Sequence, residues 1–237
     1  MAYKIIGYSE RGLMNALVYS AEPGMRQGHL LGDVLVRAGV TTSEKFAEIT
    51  AGVPRRLFEV YPEHSLSVSG TPDIMVLLGN QKHRSLVFIE GKVGGGKLAK
   101  ELKDYAAVQR GRKLKNEASN LFVQLARKMK LVTALQGRVR TNSPLVKEVS
   151  EEIQKTISLQ KKYSGKVDFH FIGLIPDAPA AEVAEALEVL RTALSENFTG
   201  TDLKGRVRLL TWSELKPLKK KSTLFREVYN REKKKIH

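Results

Sequence analysis

Two short apolar runs that lie close together, Ile74–Leu78 and Leu86–Ile89, constrain the fold more than any other feature of the chain. A polar link that includes Gly79 separates them, and apolar runs bounded by turn residues are typical of buried strands. Pro72-Asp73 precedes the first run, and Glu90-Gly91-Lys92 follows the second. We therefore expect two adjacent strands whose neighbouring ends carry two carboxylates and an ammonium group.

The charges at the end of this strand pair indicate a functional site. Side chains alternate between the two faces of a strand, so Glu90 and Lys92 share one face and Gly91 points to the other. Removing such ions from water is costly unless they pair with one another or hold a metal. The structural alternative is Asp73 in a turn and a solvated ion pair between Glu90 and Lys92, which would contribute under ~1 kcal/mol.

The rest of the chain predicts an α/β fold. Residues 10–20 have apolar side chains at helical spacing, and helices, then a strand cluster, then alternating helix and strand indicate a mixed central sheet flanked by helices. Further strands are expected at Phe58–Tyr61, Leu66–Val68, Val167–Ile175 and Arg206–Trp212. The 237 residues fit one domain, 1–237, with a basic helical insertion at 97–164 and a basic C-terminal helix or tail at 216–237. Trp212 is predicted to be a core residue whose indole N–H has a partner near the strand end.

The net charge of +15 is concentrated in two segments. Residues 97–140 contain 12 Lys and Arg against 3 Asp and Glu, and residues 216–237 contain 9 against 2. Such clustering favours a polyanionic partner, and a Lys-rich solvated helix surface is the alternative. The chain has no cysteine, which excludes disulfides and cysteine chemistry. It has no apolar stretch of ~20 residues and no signal-peptide pattern, so we expect a cytoplasmic protein with no membrane partner.

The charged residues of the strand pair form a pattern: Pro72-Asp73, a gap of 16 residues, and then Glu90-x-Lys92 on the next strand. This pattern resembles the motif of the PD-(D/E)XK nuclease superfamily. The resemblance covers residues 1–96 and 165–215, and it implies a restriction-endonuclease-like core and an Mg²⁺- or Mn²⁺-dependent endonuclease acting on DNA. Oxygen ligands suit such hard cations. The resemblance implies that Asp73, Glu90 and the backbone carbonyl of Gly91 bind the metal, with Glu10 on the first helix completing the site. Lys92 would orient or deprotonate the attacking water, or stabilise charge in the transition state.

The basic segment after the motif supplies candidate contacts to the nucleic-acid backbone, and the C-terminal lysines could add to them. The candidates are Arg110, Arg112, Lys113, Lys115, Arg127, Lys128 and Lys130. Cutting both strands of a duplex would favour a homodimer.

Two other functions are compatible with the sequence. One is a non-catalytic nucleic-acid-binding module on the same fold. The other is a nucleotide-binding protein, because residues 91–98 (GKVGGGKL) match the phosphate-loop pattern G-x-x-x-x-G-K-[ST] except at the last position. There Leu98 replaces the hydroxyl residue that binds magnesium, and the motif normally follows the first strand of its domain, which makes this alternative the weaker one.

Overall fold

A five-stranded mixed sheet with helices on both sides forms the centre of the fold. The computed structural model describes residues 10–20, 29–50, 56–62, 72–80, 83–94, 98–113, 119–135, 166–195 and 205–236. The strands are β1 (Arg56–Pro62), β2 (Ile74–Asn80), β3 (His83–Gly91), β4 (Lys166–Ile175) and β5 (Val207–Thr211). The helices are α1 (Glu10–Tyr19), α2 (His29–Arg37), α3 (Ser43–Thr50), α4 (Leu98–Gln109), α5 (Leu121–Leu135), α6 (Ala180–Ser195), α7 (Trp212–Leu215) and α8 (Thr223–Ile236), with a 3-10 helix, Lys216–Lys220, between α7 and α8.

The strands lie side by side in chain order, β1 to β5. β1, β2 and β3 are antiparallel neighbours, whereas β3, β4 and β5 run parallel, so the sheet is mixed as predicted. Ile74 of β2 pairs with Ile89 of β3, which brings the start of β2 and the end of β3 to one edge of the sheet. The predicted strand Leu66–Val68 lies outside the described residues.

Alternation along the strands divides the core between the two sides of the sheet. On one side, Met75, Leu86 and Phe88 pack against α4, α5 and α6, and we call this the α5 side. On the other, Val87 and Ile89 pack against α1, α2 and α8, and we call this the α1 side. No helix in the described ranges is long and apolar enough to span a bilayer.

Both basic segments contribute to this core. Residues 97–164, predicted as a helical insertion, supply α4 and α5, whose apolar residues cover the α5 side of the sheet. Residues 216–237, predicted as a helix or tail, supply α8, in which Phe225 and Ile236 are fully buried. Helix α8 is therefore part of the packed fold and not a frayed appendage.

Gly173 allows α5 to lie close to the sheet beside the end of β3. It pairs with Glu90 across the parallel β3–β4 ladder. A Cβ atom at this position would lie 2.5 Å from a methyl carbon of Leu209 and 3.3 Å from one of Leu121, the first residue of α5. The missing side chain therefore helps to set the distance between α5 and the strand that carries the charged residues.

We expect Gly173→Ala to lower the free energy of unfolding by about 1–3 kcal/mol, because the added methyl group overpacks the contact between α5 and the sheet. Urea denaturation would measure the loss. Gly205→Ala is the matched control, since a Cβ there meets no atom within 4 Å, and it should change stability by less than about 0.5 kcal/mol. Equal effects of the two substitutions would contradict this account of Gly173.

Candidate functional site

Asp73 is fixed at the edge of the sheet by the neighbouring strand. Its Oδ2 accepts a hydrogen bond of 2.7 Å from the backbone N–H of Gly91. Asp73 immediately precedes the Ile74–Ile89 pair and so lies opposite Glu90. The tight link between β2 and β3, visible in the sequence, is what brings these two carboxylates together.

Glu90 is a buried carboxylate with a buried partner. Its side chain is 0% exposed, and the Nζ of Lys128, itself 1% exposed, lies 2.8 Å from its Oε1. The contact is an ion pair: neither Glu90 oxygen accepts a well-aligned hydrogen bond from the described residues. The site therefore contains a carboxylate with unused acceptor capacity beside the Lys128 ammonium group.

The environment of Glu90 raises its pKa to about 7. Burial is the largest cause, because it disfavours the ionised form, and the negative charge of Asp73 acts in the same direction. The positive charges of Lys128 and Lys92 oppose both effects. Glu90 therefore changes its charge near neutral pH, and Lys128 contributes to keeping it ionised there.

Lys92 is held through its backbone and lines a cleft. Its N–H donates to the carbonyl of Leu174 at 2.7 Å, and its own carbonyl accepts from the indole N–H of Trp212 at 2.6 Å. The predicted buried Trp212 with a satisfied N–H is thus confirmed. The cleft has a volume of about 300 Å³, and its lining includes Lys92, Glu101 and Asp177.

Gly91 and Glu10 belong to the other side of the sheet. A Cβ on Gly91 would lie 2.9 Å from the Sδ of Met14 in α1, so the residue faces α1, as strand alternation predicts. Glu10 begins α1, one turn before Met14. Its side chain lies outside the described part of the structure, so its role as a third carboxylate stays a prediction.

The donor set fits a hard divalent cation, with ligands still to be completed. Asp73 and Glu90 supply carboxylate oxygens at adjacent strand ends, and both oxygens of Glu90 lack aligned donors. Among the described residues, however, no group of three or more histidine or acidic side chains could hold a metal ion. A complete site needs further oxygen ligands, for which Glu10, the carbonyl of Gly91 and water are the candidates.

The predicted backbone-contact residues are divided between the surface and the core. Arg110, Arg112, Lys113 and Lys130 are exposed, Arg127 is half-buried, and Lys115 lies outside the described residues. Lys128 departs from the expectation, because its ammonium group is buried against Glu90 and cannot reach a nucleic acid in this conformation.

The sequence contained a signal for the burial of Lys128. Helical periodicity places it three residues after Leu125 and four before Val132, on the apolar stripe of α5. A lysine on such a stripe needs a buried partner or an exit to solvent. The identity of that partner, Glu90, depends on how α5 packs against the sheet.

The phosphate-loop alternative gains no support from the described residues. Residues 95–97, which include its lysine, lie outside them, and the preceding strand is the third in the sheet. Comparisons of the chain with protein-family models, curated proteins and solved structures found no match. The chemistry of the site itself must therefore carry the functional interpretation.

We expect Lys128→Met to destabilise the protein at pH 8 by roughly 1–2 kcal/mol more than at pH 5. Without its partner the buried Glu90 must take up the proton that it has lost in the wild type, at about 1.4 kcal/mol for each pH unit above its pKa of about 7. The loss should be smaller at pH 5, below the pKa of about 7, where Glu90 is protonated. The stability of the variant should thus fall as pH rises, since its unfolded chain releases the Glu90 proton more readily than its folded state does.

Denaturant titrations at the two pH values would measure this difference. Lys130→Met, which alters an exposed lysine of the same helix, is the matched control and should have little effect at either pH. A loss of stability from Lys128→Met that is the same at pH 5 and pH 8 would mean that packing, and not charge, accounts for the role of Lys128.

Proposed function

We propose that this protein is a metal-dependent nuclease of the PD-(D/E)XK type that hydrolyses phosphodiester bonds in DNA as an endonuclease. The observation that carries the proposal is the pair of carboxylates, Asp73 and Glu90, on adjacent antiparallel strand ends. Lys92 follows two residues after Glu90 and lines a cleft. The order of these three residues at the ends of β2 and β3 supports the proposal.

Asp73 and Glu90 are the residues that would hold Mg²⁺ or Mn²⁺, with the carbonyl of Gly91 and the carboxylate of Glu10 as further ligands. When bound, such a cation stabilises negative charge on the phosphoryl oxygens and lowers the pKa of a water molecule. The hydrogen bond from the N–H of Gly91 orients the Asp73 carboxylate before any ligand binds. Preorganisation of this kind reduces the rearrangement needed when substrate arrives.

Lys92 acts on the substrate side of the site. Its backbone is held at both the N–H and the carbonyl, so the origin of the side chain is fixed on a half-buried residue that lines the cleft. In its charged form Lys92 stabilises the charge that develops on the phosphate, and in its neutral form it accepts a proton from the attacking water.

Lys128 acts through Glu90. Its ammonium group, 2.8 Å from Oε1, opposes the effect of burial on the Glu90 carboxyl. An ionised Glu90 binds cations, whereas a protonated Glu90 does not, so Lys128 favours the form that can serve as a ligand. Lys128 is thus a positioning residue in this proposal.

The architecture is compatible with the proposed restriction-endonuclease-like core. A helix precedes the strands that bear the motif, and a parallel strand, β4, follows the helices after them. A homodimer, which would allow both strands of a duplex to be cut, remains a prediction of the same proposal.

We expect Asp73→Asn and Lys92→Met each to reduce Mg²⁺-dependent DNA cleavage at least ~100-fold, because each removes a group that acts on the reacting phosphate. Nicking and linearisation of a supercoiled plasmid in Mg²⁺ or Mn²⁺ would measure the rate. Glu185→Gln, which alters an exposed carboxylate of α6, should cleave at the wild-type rate.

A DNA-binding measurement on the same variants separates the enzyme from a non-catalytic module. If both variants bind DNA like the wild type but do not cleave it, the two residues serve the chemical step. A wild-type protein that binds DNA and cleaves neither duplex, single-stranded nor branched DNA with either metal would instead be a binding module. Cleavage that persists in Asp73→Asn would contradict the proposed site.

A further inference from the structure

The C-terminal helix α8 is anchored at both ends, and one end lies at the rim of the cleft. At its start, the hydroxyl groups of Ser222 and Ser20 are hydrogen-bonded at 2.8 Å. At its end, the carbonyl of Ile236 accepts a hydrogen bond of 3.0 Å from the N–H of Asp177, a residue that lines the cleft with Lys92. Fourteen residues of helix span about 21 Å. Helix α8 therefore extends over about that distance and ends beside Asp177, a residue that lines the cleft.

The exposed surface of α8 is strongly basic. Its inward stripe contains Phe225, Val228 and Tyr229. Seven side chains in its described part are exposed, and four of them are cations and one is a carboxylate. They are Thr223, Arg226, Glu227, Asn230, Arg231, Lys233 and Lys234. Lys233 and Lys234 lie in the last turn, which is the turn nearest Asp177.

Two lysines in the segment just before α8 already have partners within the fold. Lys221 forms an ion pair of 2.7 Å with Asp33, and the ammonium group of Lys219 lies 5.1 Å from the centre of the Tyr229 ring. Arg226, Lys233 and Lys234, by contrast, have no ion-pair partner among the described residues. Their charge is available to a ligand at the protein surface.

Arg112 and Lys113 of the first basic segment lie farther from the cleft. Leu98, the first residue of α4, lines the cleft, whereas the exposed Arg112 and Lys113 follow the other end of that helix. A helix of twelve residues puts about 18 Å between its two ends. Lys128, whose ammonium group contacts Glu90, is buried.

We propose that α8 is the nucleic-acid docking surface of this protein, and that Lys233 and Lys234 contact backbone phosphates of a duplex DNA beside the cleft. This inference rests on the proposed nuclease function and identifies how its substrate is held. A basic amphipathic helix could instead bind an anionic membrane, but that mode requires its apolar face to enter the lipid. Here Phe225, Tyr229 and Ile236 are already buried in the protein core, which favours a partner that needs only the charged surface.

The test compares two double variants that remove the same charge. Fluorescence anisotropy in EDTA, over a series of salt concentrations, would measure affinity for a labelled DNA duplex. The proteins compared are the wild type, Lys233→Gln/Lys234→Gln (the α8 variant) and Arg112→Gln/Lys113→Gln. We expect the plot of log affinity against log salt concentration to be less steep for the α8 variant, by about 2 in slope. Binding should weaken to the same extent for DNA duplexes of unrelated sequence. The Arg112/Lys113 variant, which alters two candidate backbone contacts of the first basic segment, should lower the slope by less than about 1.

Three outcomes would overturn the inference: no change in the α8 variant, an equal change in both variants, or loss of binding to phosphatidylserine vesicles with unchanged DNA binding. Plasmid cleavage assays on the same proteins keep the two proposals separate. A reduced salt slope without metal-dependent cleavage by the wild type would support the docking surface and reject the nuclease. Cleavage that depends on Asp73, together with an unchanged salt slope in the α8 variant, would support the nuclease and reject the docking surface.

Discussion

The buried ion pair between Glu90 and Lys128 is the interaction on which the rest of the site depends. A carboxylate that is 0% exposed cannot remain ionised at neutral pH without a compensating charge, and Lys128 provides one at 2.8 Å. The pair ties α5 to the end of β3, and Gly173 leaves the space for that approach. Two apolar residues of similar volume are often at least as stabilising as a buried ion pair. Stability alone therefore gives a weak reason for charges at this position, whereas a binding or catalytic role gives a strong one.

The adjoining ends of β2 and β3 carry the two carboxylates and lead to the cleft. Asp73 lies opposite Glu90, and Lys92, two residues after Glu90, lines the cleft. This edge of the sheet is held together by main-chain bonds, from Gly91 to Asp73 and from Lys92 to Leu174, and by the indole of Trp212. These bonds hold the backbone on both sides of Glu90 in place.

The two basic segments have different structural roles despite their similar composition. The first, through α4 and α5, covers the α5 side of the sheet and contributes Lys128 to the site. The second forms α8, which buries its apolar stripe against the α1 side and exposes a basic surface that ends at Asp177. Segments of similar net charge therefore differ in which cations remain at the surface, and packing decides that difference.

The sequence by itself determined the mixed α/β sheet, the position of Asp73 opposite Glu90, the position of Gly91 on the opposite face of the strand from Glu90, and the burial of Trp212. These features depend on short-range alternation and on a tight link between neighbouring strands, both of which are written in local sequence. Only the tertiary structure decided that Lys128 pairs with Glu90, 38 residues earlier in the chain, and that α8 packs into the core. Periodicity shows which stripe of a helix is apolar, but not which surface that stripe covers. The partner of a buried charge is therefore set by packing between distant segments.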